Sequence, residues 1–251
     1  MSASAKFRFD DWPEEGVAFA LSGLEIVVDP GESPVLAANR AAVDANWQQE
    51  TAANPHLFNG SLLTLHAASL EAGQIVARAY VIPYAYHLWW RRQQPRPASF
   101  HSFAMAMMIS ADGDIIAIRM SQTTANPGKV YCASGSLEPD DIIAGRVDIE
   151  ANMRREVSEE TGLDLADFET GNTLFCARED SCLMFYRFFR TSLSTAAVMA
   201  KIRAHMQVDK EKEIDDVIAI NRDNRFSFNY SHSMPPALAL YFDQKTTGLP
   251  D

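Results

Sequence analysis

Long apolar runs are missing from this 251-residue chain, in which no stretch approaches the roughly 18 consecutive apolar residues needed to cross a bilayer. No membrane partner is therefore expected. The N-terminal stretch MSASAKFRFDDW also lacks the apolar core of a secretory signal, so the expected address is the cytoplasm. Cysteine is scarce: Cys132, Cys176 and Cys182 are too few to pair completely and show no metal-ligand spacing. They read as small apolar residues of a reducing compartment. Positive charge is short as well, with 22 Lys and Arg against 33 Asp and Glu and a formal net charge of −11. Such a chain repels a polyphosphate backbone, which argues against a long nucleic-acid partner. A small anionic substrate stays open if divalent cations neutralise its site. Internal repeats and low-complexity tracts are absent too.

What the chain does have is apolar bulk: 47% of its residues are hydrophobic, enough for a real core at this length. One seam interrupts the periodic pattern, WWRRQQPRPASFHS, where two prolines and a basic cluster fall together. It suggests two domains, residues 1–98 and 99–251. In the first, LEIVV reads as a short strand and Ser33 or Glu32 as the cap of a helix from Pro34 to about Gln49. SLLTLHAASLEAGQIVARAYVIP then reads as two strands turning around Glu71 to Gly73, giving one helix on a small antiparallel sheet. The second opens with FAMAMMISADGDIIAIRM, a hairpin signal centred on Asp112-Gly113. Strand-like KVYCAS, a loop rich in Asp and Gly, and a helix through Arg154–Thr161 follow. After them come the strands NTLFCARED and CLMFYRFFR, a helix capped by Ser194, the strand IDDVIAI and a last helix in MPPALALYFDQK. The fold class is α/β, a mixed sheet covered by helices, preceded by a small α+β unit.

The chemistry concentrates in RREVSEETGL. At 3.6 residues per turn Glu156 and Glu160 stack on one another with Glu159 beside them, so all three could reach one point. Like charges four residues apart weaken a helix slightly, and something must compensate. Magnesium prefers carboxylate oxygens and keeps several waters, so a few glutamates with substrate phosphates make its usual site. Gly162 would end the helix in a left-handed turn, with Leu163 packed behind it.

REVSEETGL (Arg155, Glu156, Val157, Glu159, Glu160, Gly162, Leu163) resembles the core of the Nudix box, R-E-U-x-E-E-x-G-U with U aliphatic, at every specified position. Gly135 in CASGSLEP resembles the opening glycine of the box. The resemblance spans residues 99–245 and implies an α/β/α sandwich with a mixed sheet. The first half of the box departs from the pattern: Val147 stands where the family has Glu, and PDDIIAGRV is inserted. Asp148, Glu138 or Asp141 could replace that Glu as the partner that orients Arg155. The resemblance implies that Glu156 and Glu160 are metal ligands, Glu159 a further ligand or base, and the Gly135 carbonyl a backbone ligand for Mg2+ or Mn2+. The implied reaction is attack of water on one phosphorus of a diphosphate. A downstream general base is expected at Glu213, with Glu211 the runner-up, and Arg119 is a candidate phosphate contact.

NPHLFNGSLLTLHAASLE resembles the N-terminal region of longer Nudix proteins that include UDP-sugar hydrolases. The expected substrate is a nucleoside diphosphate linked to another moiety, with a nucleotide sugar the first guess; a nucleotide- or protein-binding module without turnover is the alternative. Trp89-Trp90-Arg91-Arg92 at the seam is a candidate for stacking and phosphate contact, against the blander reading of an aromatic plug with solvated arginines. His66, His101 and His232 are scattered, and each alone reads as a structural histidine. Whether the chain forms a homodimer the sequence leaves open.

Overall fold

The computed structural model describes residues 7–9 and 11–243. The stretch through Lys6, Asp10, and the chain beyond Asp243, including Gln244 and Lys245 of the expected last helix, lie outside the described residues. The fold is mixed α/β. Strands β1 (Phe7–Arg8), β2 (Phe19–Ala20) and β3 (Gly23–Val28) lead into helix α1 (Pro34–Ala53). Strands β4 (Ser61–Glu71) and β5 (Gln74–Pro83) form a long hairpin, and helix α2 (Tyr84–Arg91) follows. Next come β6 (Phe100–Ile109), β7 (Ile115–Met120), β8 (Val130–Tyr131) and β9 (Ser134–Ser136). A small hairpin, β10 (Ile142–Ile143) and β11 (Arg146–Val147), precedes helix α3 (Ile149–Thr161). Strands β12 (Glu169–Thr170), β13 (Phe175–Glu179) and β14 (Cys182–Arg190), helix α4 (Thr195–Val208), strand β15 (Ile214–Ile220) and helix α5 (Met234–Phe242) complete the chain.

Among the described residues all strands belong to one sheet. Its main path runs β10-β11-β3-β5-β4-β6-β14-β13-β2, while β7 branches from β6 and pairs with β8 and β15. Among the described residues strand pairing crosses residue 98 at β4 with β6, β3 with β11, and β2 with β13. The front strands are not purely antiparallel as expected, because β3 runs parallel to β5 with helix α1 in the crossover. At the centre β6 and β14 pair in parallel from His101–Cys182 to Ile109–Arg190. Both are nearly continuous apolar runs, as strands covered on both faces must be. The cysteines are buried and unpaired in this core.

Local signals explain several helix ends. Ser33 caps α1 by accepting from the Leu36 N–H at 3.5 Å, and Leu36 and Val43 anchor its inner face. Ser194 caps α4 in the same way through Ala197. Helix α2 was not expected: the seam begins inside it, since eight residues are too few for a legible period. Asn59 accepts from its Ala85 N–H at 2.8 Å, and Trp89 and Trp90 bury themselves with Leu36, Val43, Leu62 and Ile82 in a second core cluster. The tryptophans are thus core residues first. Among the described residues no helix is long and apolar enough to cross a membrane.

Helix α3 ends as expected, on Gly162 at φ 67°, with Leu163 buried behind it. A methyl group on Gly162 would overlap the His205 ring, whose Nε2 lies 3.0 Å from the Glu159 carbonyl. Gly162→Ala therefore meets both backbone strain and a clash. Its expected cost is about 1–3 kcal/mol in denaturant unfolding, and a midpoint matching the parent would count against this account of the helix terminus.

Candidate active site

Helix α3 is pinned at its start. Asp148 accepts from the Glu150 and Ala151 N–H groups at 2.9 and 3.0 Å, which satisfies the first turn. One turn on, buried Asn152 donates to the Ser136 carbonyl at 3.0 Å and to Asp141 at 2.9 Å. The helix is thereby fastened to strand β9 and to the loop before it. Met153 and Val157 lock it into the core. This rotation turns Glu156 and Glu160 inward over β9 and leaves Glu159 exposed. The approach is close enough that a methyl group on Gly135 would overlap the Glu156 carboxylate. Glu160 accepts the Ser134 N–H at 3.0 Å.

These carboxylates line a cavity of about 410 Å³ together with Glu138, Glu211, Glu213 and the front residues Phe58 and Tyr84. Burial pushes Glu156 up to about 8, and Arg155, 2.7 Å from its Oε1, offsets only part of that. Glu160 is driven well above the usual carboxylate range by burial first, then by Glu156 and Glu213. The pair is short of positive charge. Its donors are all oxygen, the chemistry that suits a hard divalent cation, and the cradle left by Gly135 keeps β9 open to Glu156. Among the described residues no three acidic, His or Cys side chains converge tightly enough to enclose an ion as they stand.

The predicted residues fall out unevenly. Arg155 contacts Asp141 at 3.4 Å, Glu156 at 2.7 Å and Glu159 at 3.1 Å, with Glu138 at 3.9 Å. Of the three acids weighed as its partner, Asp141 is almost fully buried and holds it, while Asp148 is spent as the helix cap. Burial would lower the Arg155 pKa, but Glu156 and Asp141 outweigh it and the guanidinium is held more firmly protonated. Glu213 and Glu211 do reach the cavity, from the loop before β15. Arg119 does not: it pairs with Asp215 at 3.1 Å and Asp216 at 3.4 Å and lines neither cavity described here. His66 is tied to Asp29 at 2.7 Å and stacked on Tyr80, a structural role.

A second cavity of about 310 Å³ adjoins the first and shares Asn126, Tyr131, Ser134, Gly135 and Ser136 with it. Trp90 and Arg91 of the seam cluster line it, but sequence reasoning missed its histidine cluster, because those residues come from three separate segments: His87 on α2, His101 on β6 and His232 before α5. The His87 and His101 rings lie 4.4 Å apart between centroids, and burial lowers the pKa of all three, His87 to about 4.

No family model matches the chain, and no curated protein does. Solved structures that align include a MutT protein from Methanosarcina mazei at 15% identity, covering 58% of this chain and 96% of that one with a TM-score of 0.40. A protein from Deinococcus radiodurans aligns at 12%, covering 72% and 99%, with a TM-score of 0.46. A Nudix hydrolase from Nitrosomonas europaea aligns at 14%, covering 59% and 97%, with a TM-score of 0.38. At these identities and TM-scores the likenesses assign no activity to this chain.

The buried pair has a measurable consequence. A carboxyl whose folded pKa is raised keeps its proton longer folded than unfolded, so stability is full below the unfolded value, 4.5, and falls as pH climbs through the raised folded value, about 8 for Glu156 and well above the usual range for Glu160. Without divalent cations, Glu160→Gln is expected to be more stable than the parent at pH 8 by about 1 kcal/mol or more, and no more stable at pH 4. His87, which titrates in the opposite sense, cancels when variant and parent are compared at one pH. A Glu160→Gln variant less stable than the parent at pH 8 in chemical denaturation would contradict the electrostatics described.

Proposed function

We propose that the chain is a Nudix-type hydrolase that cleaves the diphosphate of a nucleoside diphosphate linked to another moiety, with Mg2+ or Mn2+ and with a nucleotide sugar the first substrate to try. The observation that carries the reading is the pair Glu156 and Glu160, buried over Gly135 at the floor of an open cavity and short of countercharge. A soluble helix gains nothing from burying two like charges, whereas an ion-binding helix must do so. Glu156, Glu160 and the Gly135 carbonyl would hold the cation, with Glu159 swinging in from solvent. When bound, the cation neutralises phosphate oxygens and lowers the pKa of attacking water.

The remaining work falls to the chain's own groups. Arg155, locked by Asp141, holds the glutamates in register along the helix. Asn152 fixes the distance between helix and strand. Glu213, across the cavity on a separate loop, is placed to take the proton of the attacking water once the site is neutralised. The division at residue 98 enters the proposal as a division of labour: the back part supplies the acids, and Leu57, Phe58 and Tyr84 of the front part wall the cavity.

A second reading, nucleotide or partner binding without turnover, is favoured by one observation. Arg155 occupies Glu156, and the acids do not converge as they stand. A substrate panel separates the two: UDP-glucose, ADP-ribose, NADH, diadenosine polyphosphates and deoxynucleoside triphosphates, each with Mg2+ or Mn2+. The hydrolase reading expects a nucleoside monophosphate product from at least one, lost on adding EDTA and reduced about 100-fold or more in Glu160→Gln. No product from any substrate would sink it. Gly135→Ala, which displaces the Glu156 carboxylate without requiring a left-handed backbone, is expected to fold and to lose at least about tenfold in kcat. A kcat equal to the parent's would remove Gly135 from the site.

A further inference from the structure

Helix α2 makes two contacts of different kinds. Its Tyr86, Trp89 and Trp90 pack with Leu36, Val43 and Ile82 in the second core cluster, separate from the main core that holds Phe103 and the rest of β6 and β14. Its His87 instead meets His101 of β6, with ring centroids 4.4 Å apart and planes tilted by 46°. His101 leads on to Phe103 at 5.5 Å, and Phe103 to His232 at 6.1 Å. The front helix thus leans on the central sheet through a pair of imidazoles.

The surroundings of the pair disfavour a proton. The charged groups acting on His87 are Arg91, one turn further along α2, and Arg96 of the following loop. Those acting on His101 are His87, His232 and Arg91, each of them cationic or made so by a proton. His232 does face acids, Glu179 on β13 and Asp180 in the β13–β14 turn, and Asp180 is held by Arg96 at 2.6 Å. Burial keeps Tyr84, stacked on His87, and Tyr131 and Cys182, which line the cavity, in their neutral forms. The His101 Nδ1 is buried without a hydrogen-bond partner among the described residues, so a proton placed there meets no acceptor. Burial first, then these cations, lower His87 to about 4 and His101 well below its ordinary value of 6.5.

We propose that His87 and His101 form a proton-operated latch: neutral, the rings close helix α2 onto strand β6, and protonated, they drive the helix away and open the cavity that they line. Two like charges 4.4 Å apart, buried and without an acid between them, repel strongly. A histidine kept neutral by burial contributes its full stability above 6.5 and loses it as pH falls towards 4. Between pH 7.5 and 5 the open form gains about 25-fold through His87 alone. The raised carboxyls of Glu156 and Glu160 work in the opposite sense, because acid stabilises them, and so they do not drive the opening. Since α2 packs in its own cluster, the main core and the long β6–β14 pairing stay intact when it moves. The latch needs neither a cation nor turnover and stands apart from the hydrolase reading.

Tryptophan fluorescence with acrylamide quenching, read beside far-UV circular dichroism on the full chain without divalent cations, tests the latch. Three of the four tryptophans, Trp47, Trp89 and Trp90, belong to the cluster around α2. From pH 7.5 down to 4.5 quenching is expected to rise reversibly while the circular dichroism holds. In the double variant His87→Gln, His101→Gln the midpoint should move at least one pH unit lower. Should that variant fail to fold, His87→Gln alone should move it by at least half a unit, and His56→Gln, on the exposed loop after α1, should leave it in place. Quenching that stays flat in the parent, a midpoint unmoved in a folded variant of the pair or moved as far in His56→Gln, or circular dichroism lost together with the tryptophan signal overturns the latch.

Discussion

The distance between helix α3 and strand β9 is the constraint on which the other features of the site depend. It is set where Gly135 has no side chain and the Glu156 carboxylate fills the space that a methyl group would need. Only at that separation can Asn152 reach the Ser136 carbonyl and Glu160 the Ser134 N–H. Taking two carboxylates out of water costs several kcal/mol each before any partner is counted. Met153 and Val157, wholly buried on the same helix, and the apolar strands beneath them offset this. The acids are held in place by hydrophobic packing, against their own electrostatics.

The loop before the helix solves a second problem. A guanidinium among several carboxylates needs one partner that does not move, and Val147 cannot be it. Asp141 takes that position with its carboxylate nearly sealed from solvent, accepting from Asn152 and from the Glu138 N–H as well as facing Arg155. One acidic side chain thus ties together the loop, the helix and the arginine.

Much of this could be read from the chain, and the parts that could not have physical reasons. Helix α3 and its glycine stop were legible because capping, period and C-terminal chemistry agree there. Which glutamate turns outward was not, since Glu159 and Glu160 are adjacent and only the packing of Val157 decides the rotation. The hairpins at Asp112-Gly113 and Glu71–Gly73 announced themselves through turn residues, while helix α2, short and apolar on most sides, left no period to read. The histidine cluster was invisible because proximity of His87, His101 and His232 depends on sheet order, a long-range property. Arg119 looked available as a lone strand-end arginine, but cross-strand neighbours Asp215 and Asp216 exist only once β7 and β15 pair.

The inserted PDDIIAGRV segment, read from sequence as a loop, folds into the β10-β11 hairpin and pairs with β3 at Arg146–Val27. Ala144 and Gly145 at its tip have positive φ, the geometry of a tight turn. Along the main strand path this hairpin forms one end and the two-residue β2 forms the other. A sheet exposing the full flank of β3 would offer a six-residue template of unpaired backbone to any passing strand. The hairpin meets that flank at one position, Arg146 opposite Val27, and so covers its C-terminal end. The extra residues that disrupt the spacing before the glutamate helix therefore shorten the run of unpaired backbone that β3 presents at the end of the sheet.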